Sequence, residues 1–153
     1  MNARFTRILL LVGLVLVLGA VNWSIVGKER IKSSGERIYL ELAPLDPRSL
    51  MQGDYMALRF ALANGISTES SGSAPLVVDA RGVATLNPDR NAAGLRIRYR
   101  IRGGRVWLGT NAYFFEEGTA DRYARARYGE FRIDRNSGEA VLTGLADQDL
   151  GKL

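Results

Sequence analysis

The chain has 153 residues, about one domain's worth. It carries 21 Lys and Arg against 16 Asp and Glu, a formal net charge of +5, and it has no His and no Cys. Those two absences exclude a Ser-His-Asp triad, a Cys-His nucleophile pair, a thiolate or imidazole zinc site, a haem held by His or Cys, and any disulfide. Acid–base work is left to Asp, Glu, Lys and Tyr. Carboxylates alone can hold calcium or magnesium, but no metal or cofactor is expected. Lysine occurs only at 28, 32 and 152, so nearly all the positive charge is Arg, which stays ionised and is no ordinary general base.

Residues 1–7 form a short N-terminus with Arg4 and Arg7. Residues 8–26 read ILLLVGLVLVLGAVNWSIV, an uncharged run long enough to cross about 30 Å of hydrocarbon as a helix. Trp23 lies near its far end, where an indole suits a membrane–water interface. A cleaved signal peptide would have a shorter apolar core and small residues before the cut. Here Leu18-Gly19-Ala20 puts Leu at the −3 position, so an uncleaved anchor is expected. No second span follows. The favoured topology puts the short N-terminus inside and residues 27–153 outside, in a bacterium the periplasm. Lys28, Arg30 and Lys32 count against that orientation.

Residues 27–36 read as a charged stem and 37–153 as one exported domain. Arg37 to Leu42 alternates with Ile38, Leu40 and Leu42 on one face, a strand with one buried side. Pro44 and Asp46-Pro47 end it. Tyr55 to Leu62 predicts the next strand, with Met56, Leu58, Phe60 and Leu62 inward. Asn64 to Ala74 is small, polar and loop-like. Leu76–Val78 and Val83–Leu86 flank Arg81-Gly82 as a hairpin, and Asn87 to Gly94 is another loop.

Leu95 to Arg102, L-R-I-R-Y-R-I-R, alternates without exception, and Gly103-Gly104 supplies the turn to Arg105–Leu108. Ala112 to Phe115 is a short strand. Thr119 to Tyr128 predicts a helix, with Thr119 as cap, Asp121 in the first turn and Gly129 as terminator. Glu130–Asp134 and Glu139–Leu145 close a last hairpin around Asn136-Ser137-Gly138. The sum is a mainly β chain: an N-terminal transmembrane helix, then one antiparallel domain, sandwich or barrel-like, of about seven to nine strands with one short helix.

The stretch from Leu42 to Phe60 resembles the GDYXXLXY family, a group of small membrane-anchored bacterial proteins. Its Gly-Asp-Tyr-x-x-Leu-x-aromatic core falls on Gly53, Asp54, Tyr55, Leu58 and Phe60, preceded by Asp46, Pro47 and Arg48. The family's final Tyr is Phe60 here, so the ring is kept and the hydroxyl is not. Phe114 to Gly118, Tyr123 and Ala126 to Gly129 also resemble it. The resemblance implies a gene lying near those of polytopic membrane proteins of unknown function and carries over no catalytic residue. Read from the residues, the motif is turn chemistry: Asp46-Pro47 makes a turn, Gly53 permits a positive φ, and Asp54 accepts backbone N–H groups or pairs with Arg48. An envelope hydrolase using Asp46 and Asp54 as an acid–base pair is the weakest alternative. A signal-peptidase-like Ser-Lys dyad is rejected, because Leu45 occupies the nucleophile's place and no Lys lies in the domain body.

Arg96, Arg98, Arg100 and Arg102 share one strand face, with Arg105 close by and no acid among them. Such a row suits an anion: lipid phosphate, an acidic envelope polymer or an acidic patch on a partner. The bland alternative is a solvated face paired with Glu41, Glu130, Asp134 and Glu139. Nucleic acid is not expected, since charge in 27–153 is nearly balanced. Tyr113, Phe114, Phe115, Tyr123 and Tyr128 read as core aromatics, with Trp107 and Phe115 as the first choices for partner contact. The expectation is a non-enzymatic, membrane-anchored accessory of a polytopic inner-membrane protein, with ligand binding through the arginine face as the alternative.

Overall fold

The computed structural model describes residues 3–43, 51–52 and 55–153. Asp46, Pro47, Arg48, Gly53 and Asp54 lie outside the described residues. Helix α1, Ala3–Ser34, runs 32 residues, about 48 Å at helical rise. Its apolar stretch has no cover from the rest of the chain, and Trp23 is 86% exposed. One helix is therefore long and apolar enough to span a membrane.

The expected stem at 27–36 is not a separate element, because α1 continues through it. Lys28 to Ser34 contains no Gly or Pro and begins with Lys, Glu and Arg, which favour helix. Ile31, the apolar residue in that turn, is buried. It faces strands β9 (Tyr128–Ile133) and β10 (Ala140–Ala146), against which α1 packs. Gly35 alone separates α1 from β1 (Glu36–Glu41). A Cβ there would collide with the Ile31 carbonyl and lie 3.1 Å from Arg132 Cβ. The Arg132 guanidinium donates to the Gly35 carbonyl at 3.1 Å, which clamps the helix end to the sheet.

The domain is mainly β, and its strand ladders are antiparallel. One sheet has the order β1-β9-β10. A second joins β2 (Met51–Gln52), β3 (Tyr55–Ala57) and β8 (Ala112–Phe114). The third has the order β5 (Ala84–Leu86), β4 (Gly72–Val78), β6 (Arg96–Arg102), β7 (Arg105–Trp107). Ten strands among the described residues exceed the seven to nine expected, because several are only two or three residues long. The core lies between the sheets. Ile38, Leu40, Ile97, Leu108, Phe131, Ile133 and Leu145 are fully buried. All but Leu108 come from β1, β6, β9 and β10, where the period-two pattern turns alternate residues inward.

Three expected elements change. The strand Tyr55–Leu62 stops at Ala57, and Ala61–Gly65 is a 3-10 turn. Met56, Leu58 and Phe60 are nevertheless buried, since the chain stays extended through Phe60, which bridges Leu42, and Leu62 is buried from within the 3-10 turn. The loop expected to reach Ala74 ends earlier, at the start of β4. The helix expected over Thr119–Tyr128 is only α2, Ala120–Tyr123. The Thr119 hydroxyl donates to the Glu116 carbonyl at 2.6 Å rather than capping it. Sheet pairing limits this helix. Arg127 N–H donates to the Ala146 carbonyl and its carbonyl accepts from Leu42 N–H, both at 2.8 Å. Gly129 is not a helix terminator but a residue of β9.

Gly103 and Gly104, at φ +55° and +69°, make the expected tight turn. The β9–β10 turn is built on Asp134. Its Oδ1 accepts Ser137 N–H at 2.7 Å, the Ser137 hydroxyl at 2.9 Å and Asn136 N–H at 3.1 Å. The Ser137 N–H, then its hydroxyl, holds the carboxyl below its ordinary value. A depressed carboxyl stabilises the fold above its unfolded pKa of about 3.9, and that contribution is lost as pH falls through the lower folded value. The Ser137 amide resonance should therefore titrate below pH ~4. A midpoint at or above 4 would contradict the hydrogen bonding described.

Candidate functional site

The eight-residue alternation places the arginines as expected. Leu95 and Ile97 are buried, and Arg98, Arg100 and Arg102 are exposed. Cross-strand neighbours share a face, so Trp107 (opposite Arg100) and Arg105 (opposite Arg102) join the arginine face. The Arg102 guanidinium carbon sits 5.4 Å from the Trp107 ring centroid, a cation–π contact.

Arg96 belongs to the row in sequence but not in chemistry. Its guanidinium donates to the Ser73 hydroxyl and carbonyl, both at 3.1 Å, and to the Arg90 carbonyl at 3.3 Å. It fastens β6 to β4 and to the loop before Leu95. By contrast, Arg98, Arg100, Arg102 and Arg105 form no ion pair with any described residue. The acids expected to neutralise them are otherwise engaged or unpaired. Glu139 pairs with Lys28, Asp134 holds its own turn, and Glu41 and Glu130 form no ion pair within the described residues.

Lys28 borders this face. It reaches Glu139 across 111 positions of sequence. A cleft of about 90 Å³ opens there, lined by Lys28, Arg98, Arg100, Arg102, Trp107, Gly109, Glu139 and Ala140. A shallower hollow of about 580 Å³ lies on the other side of Arg98 and Arg100, beside Ser71, Ser73 and Ser137. The cleft's back wall is backbone. Gly138 accepts Arg98 N–H at 2.7 Å, and a Cβ on Gly109 would lie 2.6 Å from the Ala140 carbonyl. Four cations around one already paired carboxylate can grip an oxyanion through planar Arg forks. Lys28 carried no sequence signal for this role, because its partner comes from the far hairpin.

In the aromatic cluster one ring is covered and its neighbour is not. Phe115, the ring chosen for contact, is half-buried with its centroid 5.2 Å from Tyr123. Tyr113 also meets Tyr123, at 5.3 Å. Burial first, then the hydrogen bond and charge of Tyr123, pushes the Tyr113 phenol up, while Arg122 pulls the other way. Phe114 is the outward ring, 74% exposed and 5.8 Å from Tyr55. Within the motif, Leu58 and Phe60 are core, and Tyr55 is half-buried on β3. Among the described residues no group of three or more His, Cys, Asp or Glu could hold a metal ion.

No curated protein and no solved structure matches the chain. The family described as GDYXXLXY protein matches residues 17–145, which covers the end of the apolar helix and nearly all of the β domain. The chain therefore belongs to the GDYXXLXY protein family.

Proposed function

We propose that this is a non-enzymatic, single-pass protein of the bacterial inner membrane, whose periplasmic β domain serves as an accessory to a polytopic membrane protein. The observation that carries this reading is the unbroken course of α1 from the apolar span into the domain. Buried Ile31, the Lys28–Glu139 pair and the Arg132 bond to Gly35 hold it there. A flexible linker lets a domain sample many orientations. A helical fusion keeps one face toward the bilayer, as docking on another embedded protein requires. Exposed Phe114 and half-buried Trp107 supply the aromatic anchors that interfaces favour.

A photocrosslinking residue in place of Phe114 or of Trp107, at native expression, should give a discrete adduct with an integral membrane protein. No such adduct from either position would remove the accessory reading. A C-terminal reporter should be active only outside the cytoplasm. Activity inside would overturn the localisation.

A further inference from the structure

We propose that the cleft between Lys28 on α1 and Arg98, Arg100 and Arg102 on β6 binds the phosphate of an anionic phospholipid in the bilayer that α1 crosses. The inference rests on α1 spanning that bilayer and does not depend on a protein partner.

Height is the first argument. The apolar run ends at Val26, and Lys28 lies two residues beyond it, about 3 Å along the helix axis. The headgroup layer adds roughly 5–8 Å on each side of the hydrocarbon. A cleft walled by Lys28 therefore opens at headgroup depth. Its half-buried Trp107 has the amphipathic character that suits that layer.

Charge is the second. Glu139 is the one carboxylate lining the cleft and already pairs with Lys28, so the three arginines are uncompensated among the described residues. Arg102 also stands directly opposite Arg105 across the Gly103-Gly104 turn. Like charges so placed cost stability, and an anion held by Arg102 in the cleft lessens the cost. Size is the third. A cleft of about 90 Å³ is several times the roughly 10–15 Å³ that one water needs. That admits a phosphate group, and the acyl chains remain in the bilayer beside α1.

The test uses the full chain in dodecyl maltoside micelles with Trp23→Phe, which leaves Trp107 as the reporter indole. Dihexanoyl phosphatidylglycerol, dihexanoyl phosphatidylcholine and inorganic phosphate are titrated in separate arms. A saturable change in Trp107 fluorescence is expected with phosphatidylglycerol alone. Arg98→Gln with Arg100→Gln should weaken it at least about tenfold, the loss of charge-assisted hydrogen bonds. Both side chains are exposed and unpaired, so the thermal midpoint should hold. Arg90→Gln with Arg125→Gln removes the same charge from exposed positions outside the cleft and should leave binding within about twofold. An equal response to phosphatidylcholine, equal or tighter binding of inorganic phosphate, or equal weakening by the two double variants would each overturn the proposal.

Discussion

Phe131→Ala should lower the unfolding free energy of the domain by about 3–5 kcal/mol. Phe131 is fully buried in β9, the central strand of its sheet, in register with Ile38 on one side and Leu142 on the other. Its ring meets Phe60 edge-on, with centroids 5.2 Å apart and planes at 71°. The two rings fit because position 129 has no side chain. A Cβ on Gly129 would lie 2.9 Å from the Phe60 ring and 3.1 Å from that of Phe131. Truncation removes a large apolar surface and leaves a gap that three strands frame. Denaturant unfolding of the full chain in detergent, followed by near-ultraviolet circular dichroism, reads the loss. A cost below about 1 kcal/mol would show that the core closes over the gap. The packing also accounts for the motif's last aromatic. Phe60 is 3% exposed, so the ring serves as core, and a hydroxyl there would need a buried partner.

Gly138→Ala should cost about 2–4 kcal/mol and disable the arginine cleft as well. Gly138 is buried with φ +69°, in the left-handed region that side chains resist. An added Cβ would stand 2.8 Å from the Arg96 carbonyl and 3.3 Å from Arg98 N. Those are backbone atoms of β6 and cannot rotate away. The β9–β10 turn must then retreat, and the Gly138 bond to Arg98 N–H stretches or breaks. Lys28 loses its anchor with it, because Glu139 is the next residue. The same unfolding experiment reads stability, and hydrogen exchange at the Arg98 amide reads the junction. Exchange as slow as in the unaltered protein would mean the turn tolerates the methyl group.

How much of this was legible depends on the range of each interaction. Leu95–Arg102 was readable because pleat geometry and a Gly-Gly turn act within ten residues. The faces of Met56, Leu58 and Phe60 were readable even where the strand itself ends, since period two belongs to any extended chain, whereas Leu62 is buried from within the 3-10 turn. The length of α1 was also available in sequence, in the Lys28–Ser34 run without helix breakers. What was not available came from distant partners. Arg127 is claimed by Leu42 and Ala146, and only four residues of the expected helix remain helical. Arg96 is claimed by Ser73, which takes it out of the row. Lys28 is placed in the cleft by Glu139. Local propensity is a weak prior against such pairings. Which of Phe114 and Phe115 is covered was equally out of reach, because alternation says only that the two rings diverge and Tyr123 decides which one it packs against.

The single residue between α1 and β1 also gears the domain to its anchor. In a helix each residue carries about 100° of rotation and 1.5 Å of rise. Adding or removing one residue between Val26 and Lys28 would swing the arginine cleft through more than a quarter turn about the span while barely changing its height. A shift of seven residues restores the facing to within about 20° and moves the domain by about 10 Å. The length of that junction is thus a phase as well as a distance. A rotation of the apolar part of α1 about its axis would turn the β domain with it, since no break in the helix intervenes.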